Sequence, residues 1–228
     1  GAKFGFSLIG LILLTNLVKY PFLLVGTRFT AVTGLSLLEG FQKRNKFYLP
    51  IYLIVGLITG TFTISAVSFV TGLLLKNIVI FSFFPPLDLA IGILIVCSLI
   101  LFIGQYKALD RISKILVFLL TVLTFFAVIS LLFKGPAGDI NISFLNSTPS
   151  PWTLSNLGFL IPLMGWMPGP VELCIWPSLW MFSRAKETDH TATLKEAEFD
   201  FNLGYFITVL TAIFFLILGA YTMYGTGD

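Results

Sequence analysis

Charge is what this chain lacks most. Its 228 residues hold 14 lysines and arginines, 11 aspartates and glutamates and one histidine, and only 11% are charged. A soluble globular domain carries about 25%. The formal net charge of +3 is small, and no lysine- and arginine-rich stripe with interleaved aromatics occurs, so no nucleic-acid partner is expected. The only two cysteines, Cys97 and Cys174, both lie in apolar runs. They read as small buried hydrophobes, and with the single His190 they make no zinc pattern. No leader with a basic start and a small-residue cleavage site is recognisable. The chain starts at Gly1 and enters apolar sequence almost at once, the pattern expected of a piece of a longer protein. No nucleophile–base pair, Gly-rich phosphate loop or metalloprotease motif is present, so enzymatic chemistry is not expected.

Apolar residues are abundant instead: 57% are hydrophobic, 24 are phenylalanine, and the mean hydropathy is +0.96. A membrane span needs about 20 mainly apolar residues. Six segments qualify: A at about 4–25, B at 48–75, C at 87–103, D at 112–133, E at 154–182 and F at 201–224. The expected fold is an all-α, polytopic transmembrane bundle forming one domain over 1–228. Pro85-Pro86 ends the short run after B, with Asp88 placed to help start C. Gly135-Pro-Ala-Gly138 stops D, and Thr193 with Glu196 matches a capping box ahead of F. Gly56-Leu-Ile-Thr-Gly60 is a small-xxx-small pattern that predicts close helix packing.

Basic residues set an orientation. Arg28, Lys43, Arg44 and Lys46 lie between A and B, Lys107, Arg111 and Lys114 between C and D, and Arg184, Lys186 and Lys195 between E and F. The opposite connections hold only Lys3, Lys76 and Lys134. Positive loops stay inside, so the A–B, C–D and E–F loops are expected in the cytoplasm and both chain ends outside. The outer D–E loop carries the triplets Asn141-Ile-Ser143 and Asn146-Ser-Thr148, which match the glycosylation pattern and read as loop composition.

Segment E breaks the rule the others obey. Between Ile161 and Trp180 it holds four prolines, two glycines and one carboxylate. A lipid-spanning helix must satisfy its own backbone. Pro168 and Pro170, beside Gly165 and Gly169, prevent that over about two turns. Such a break is tolerated where the freed backbone meets protein or a polar cavity, and secondary transporters build substrate sites this way.

Of the eleven acids, Glu172 alone lies deep in a span. With Pro170 near the first helical position, it falls in the first turn of the second half-helix, where it complements the dipole. It is equally a candidate proton or cation site, because intramembrane acids are functional by default. Met167 lies at the break and offers a soft thioether. A lone methionine in a span is more often core. The carbonyls near Met164 and Gly165 add hard oxygen ligands. Trp152 and Trp180 fit opposite interfacial belts, while Trp166 and Trp176 lie deeper and pack around the break or gate it. Lys19, the other mid-span charge, either snorkels toward the cytoplasmic face beside Pro21 or pairs with a carboxylate from a helix outside this chain.

Three stretches carry a family resemblance. Gly1-Ala-Lys-Phe-Gly-Phe-Ser-Leu8, Arg28-Phe-Thr-Ala-Val-Thr-Gly34 with Glu39 beyond it, and Met167-Pro168 resemble the divalent-metal transporters of the NRAMP family. The resemblance implies that the six spans are that family's helices two to seven. It also implies a LeuT-like inverted-repeat fold with the metal between broken helices one and six. On that resemblance Met167 supplies a thioether and Met164 a backbone carbonyl, and Gly165, Trp166, Gly169 and Cys174 line the site. The first helix and the second repeat then lie outside this chain. This sequence departs from the pattern in having Gly169 and Cys174 where the family has histidines, no acid in segment B, and Glu172 where the motif has none.

The expected function is therefore secondary active transport of divalent cations of the manganese or iron class. Protons are a candidate coupling ion, and a bacterial plasma membrane is the expected location. No resident cofactor is expected, and the partners are the lipid bilayer, the metal ion as substrate and the rest of the protein. A LeuT-like carrier of an organic solute, with Trp166 and Trp176 lining a larger site, is one alternative. A non-transporting membrane sensor or scaffold is the other.

Overall fold

The apolar runs become helices because a polar backbone in lipid has nowhere else to place its hydrogen bonds. In the computed structural model, described for residues 1–135 and 150–224, seven α-helices follow one another. They are α1 (Ile9–Thr33), α2 (Leu37–Arg44), α3 (Tyr48–Lys76), α4 (Pro86–Lys134), α5 (Leu157–Trp166), α6 (Ile175–Thr188) and α7 (Leu194–Met223). Short 3-10 turns lead into α1 at Gly5–Leu8, into α5 at Leu154–Asn156 and into α6 at Val171–Cys174. Among the described residues, four stretches are long and apolar enough to cross a membrane: Gly5–Thr33, Tyr48–Lys76, Pro86–Lys134 and Leu194–Met223.

Segments C and D, expected as separate spans, are two helical pieces that meet at a kink inside the 49-residue stretch Pro86–Lys134. A straight helix of that length measures about 73 Å, more than twice the apolar thickness of a bilayer. The backbone leaves the helical region at Gln105, where φ is 47° and ψ is −146°. A β-carbon at Gly104 would press on that of Ala108. The break sits where the apolar run gives way to Lys107, Asp110 and Arg111, so α4 holds two apolar pieces, as the composition predicts. Its start also follows expectation. Pro85 accepts from the amides of Asp88 (3.1 Å) and Leu89 (3.2 Å), Pro86 is the first helical residue, and Asp88 stands in the first turn. Its end lies at Lys134, and the amide of Gly135 bonds the carbonyl of Leu131 at 2.9 Å. The triplets at Asn141 and Asn146 lie outside the described residues.

The chain divides into two compact units. The smaller, Leu38–Leu116, holds α2 from its second residue, α3 and the first part of α4. Here α3 meets the start of α4 at Gly72, where a β-carbon would collide with the carbonyl oxygen of Pro86. The small-xxx-small pattern at Gly56 and Gly60 is not a packing site among the described residues, because no atom lies within 4 Å of a β-carbon at either position. Cys97 is also not the buried residue expected: it is exposed on α4.

The larger unit, Gly1–Leu37 with Val117–Asp228, carries the broken helix. Its core joins Phe4, Leu8 and Ile12 to Leu160 of α5 and Leu216 of α7. α1 and α7 are tied along their length. The Arg28 guanidinium pairs with Glu198 at 2.5 Å, the Tyr20 hydroxyl donates to Asn202 Oδ1 at 2.6 Å, and the Tyr205 hydroxyl donates to the carbonyl of Asn16 at 2.6 Å. The capping box forms at the start of α7. Thr193 Oγ1 accepts from the Glu196 amide, and Glu196 Oε2 accepts from the Thr193 amide at 2.8 Å. The amide of Leu37, the last residue of this unit's first segment, donates to the fully buried Ser178 Oγ of α6 at 2.8 Å.

Candidate functional site

Segment E is broken where its prolines require. α5 ends at Trp166, and Met167 is extended with φ −106° and ψ 126°. The Met167–Pro168 peptide is cis. Gly169 and Pro170 are non-helical, a 3-10 turn runs over Val171–Cys174 with the Leu173 amide on the Pro170 carbonyl at 3.0 Å, and α6 resumes at Ile175. The last four carbonyls of a helix have no partner within it. In α5 these include Met164 and Gly165, and Gly169 follows in the open loop.

α1 supplies their partner. The Lys19 ammonium donates to the carbonyl oxygens of Met164 at 2.7 Å, Gly165 at 2.7 Å and Gly169 at 3.2 Å. Rather than snorkelling along the span, Lys19 turns onto the break. In the sequence alone the mid-span lysine and the freed carbonyls are separate features. The available signal was that a charge in a span must be compensated, and ammonium donors match carbonyl acceptors in kind and number.

The packing of α1 beneath the break depends on Gly26. A β-carbon there would collide with the carbonyl oxygen of Cys174. The half-buried Cys174 therefore meets α1 through its backbone. Close approach of a glycine Cα to a carbonyl is a recurrent helix–helix contact. It sets the second half-helix against α1 just beyond the break.

The two methionines lie in a closely packed apolar contact with Leu11, Ile12, Thr15 and Leu163, too tight to admit a water molecule. Met167 is partly buried against the core of Phe4, Leu8, Ile12, Leu160 and Leu216, so the core role weighed for it is present in the packing. Thr15 is buried, and its hydroxyl has no partner among the described residues. Gly165 and Trp166 are exposed and Gly169 is buried. Trp166 and Trp176 expose 51% and 52% of their surface, as much as Trp152 and Trp180. The four indoles are thus alike in exposure. The backbone of Glu172 lies in the 3-10 turn, and its side chain lies outside the described residues. Among the described residues no three His, Cys, Asp or Glu side chains gather as a metal site. The ligands on offer here are backbone carbonyls, a thioether and a hydroxyl.

The family model for natural resistance-associated macrophage protein-like (Nramp) sequences matches residues 1–228. An uncharacterized protein of Pasteurella multocida (strain Pm70) is 34% identical over 232 residues, an alignment covering all of this chain and 52% of that protein. The chain thus spans about half the length of that relative. No solved structure matches it.

Proposed function

The chain belongs to the Nramp family, and on that premise we propose that it is part of a secondary transporter that carries divalent metal cations of the manganese or iron class across a membrane. The break between α5 and α6 carries the reading. It presents the carbonyls of Met164, Gly165 and Gly169 to α1, with Met167 and Thr15 packed beside them. Carbonyl and hydroxyl oxygens suit hard divalent ions, and a thioether favours softer ones such as iron and manganese over calcium and magnesium. In this reading the ion lies between the break and a helix beyond this chain, in a LeuT-like arrangement. Rocking of helix groups exposes it to each side in turn. The A–B, C–D and E–F connections face the cytoplasm of a bacterial plasma membrane. Glu172 joins the site as a proton or cation group, and protons are the coupling ion.

The test is uptake by the full-length protein in liposomes. Manganese accumulation that manganese and iron inhibit, and that magnesium and amino acids leave alone, supports the proposal. Uptake of an amino acid or similar solute without metal would favour the organic-solute reading, for which the half-exposed Trp166 and Trp176 supply aromatic walls. A flat calorimetric titration with manganese would favour a sensor or scaffold. If Glu172→Gln leaves uptake and its pH dependence intact, the carboxylate has no part in transport.

A further inference from the structure

A helix that breaks inside a membrane leaves carbonyl oxygens that need a positive partner. In transporters built on such breaks the partner is the coupling ion or substrate cation. Here the partner is already attached to the protein. Lys19 Nζ lies at 2.7, 2.7 and 3.2 Å from three carbonyls drawn from both sides of the Met167 bend. An ammonium has three N–H donors and no acceptor, and charge-assisted bonds of about 2.7–2.9 Å are the strong ones. Its stem rises from the middle of α1, and α1 is held to α7 by Arg28–Glu198 and by the Tyr20 and Tyr205 hydroxyls. The ammonium is thus delivered from a braced helix.

We propose that the carbonyls of Met164, Gly165 and Gly169 form a cation site whose resident cation is the Lys19 ammonium, and that a metal ion enters the break only by displacing it. The second half rests on the metal reading above. An ammonium and a metal ion on the same neutral carbonyls would be like charges in contact, which repel, with no anionic ligand among these three oxygens to offset the repulsion. Without a bound ion, Lys19 keeps the break's backbone satisfied. When an ion binds, the ammonium must swing off the carbonyls, so apparent metal affinity is the intrinsic affinity reduced by that competition.

The experiment uses the full-length protein in nanodiscs at constant ionic strength. Manganese binding is measured for the wild type, Lys19→Met and Lys19→Arg. Lys19→Met binds manganese at least about tenfold more tightly than wild type, a difference readily resolved, and Lys19→Arg stays close to wild type. Lys19→Gln, which keeps two N–H donors without the charge, makes the same comparison should Lys19→Met fail to fold. Equal manganese affinity in wild type and the neutral variants overturns the competition and leaves the metal reading standing. A second arm is independent of metal. Methylammonium chloride restores thermal stability to Lys19→Ala, and tetramethylammonium chloride, which has no N–H donor, does not. Equal responses to the two salts overturn the cation site. If no variant binds manganese, the metal reading and the displacement step fall together, and the methylammonium arm alone decides the cation site.

Discussion

Gly26 of α1 lies so close to the carbonyl of Cys174 that no side chain fits between them. The contact brings a helix from the start of the chain against the turn that reopens the broken helix. Gly26→Ala should destabilise the protein by about 1–3 kcal/mol, the range for overpacking a filled contact. Gly204→Ala, a helical glycine with no atom within 4 Å of its β-carbon, should be neutral or stabilising by up to about 1 kcal/mol. Thermal denaturation of both variants in detergent reads the difference. Equal melting temperatures would mean that α1 does not hold the second half-helix through Gly26.

Met167 should separate core from ligand. Met167→Leu conserves volume against the apolar cluster of Leu8, Ile12 and Leu160 and should cost less than about 1.5 kcal/mol. The same change removes the thioether, so manganese uptake should fall at least about tenfold. Full uptake by the folded variant would leave Met167 as core alone.

The α1–α7 pairing should show a graded response. Tyr205→Phe deletes the hydroxyl that donates to the Asn16 carbonyl and should cost about 0.6 kcal/mol, the average for such bonds in membrane helices. Arg28 and Glu198 are 58% and 28% exposed, so a double-mutant cycle there should give a coupling of less than about 1 kcal/mol. Chemical denaturation of the single and double variants measures both, and a larger coupling at Arg28–Glu198 would mean that the pair is shielded in the complete protein.

Thr193→Ala removes the cap of α7 and should cost about 1 kcal/mol, with Thr193→Ser close to wild type. Faster proteolysis of the α6–α7 connection in Thr193→Ala is the local readout. Unchanged cleavage would show that packing alone holds the start of α7.

Punctuation by single residues was legible wherever the interaction is local. Pro86 with Asp88, Gly135, and Thr193 with Glu196 act within one turn of themselves, so spacing along the chain suffices. The same holds for the break, expected over Gly165–Pro170 and found over Met167–Pro170, because a missing amide and a fixed φ are properties of proline wherever it sits. Packing partners were not legible. Gly56 and Gly60 share a small-xxx-small pattern with Gly26-Thr-Arg-Phe-Thr30 and Ser68-Phe-Val-Thr-Gly72, yet among the described residues only Gly26 and Gly72 of these glycines touch the backbone of another element. A helix face shows that a residue is small without showing which neighbour arrives.

By itself the sequence determined that the chain is helical and membrane-embedded, that six apolar segments exist, and that one of them is interrupted. Each of these follows from hydropathy and from backbone chemistry acting over a few residues. Only the tertiary structure decided how that interruption is satisfied. Lys19 and Met164 are 145 positions apart, and no periodicity relates a lysine in one helix to carbonyls at the end of another. Their meeting depends on how α1, α5 and α6 pack, which Gly26 permits by carrying no side chain.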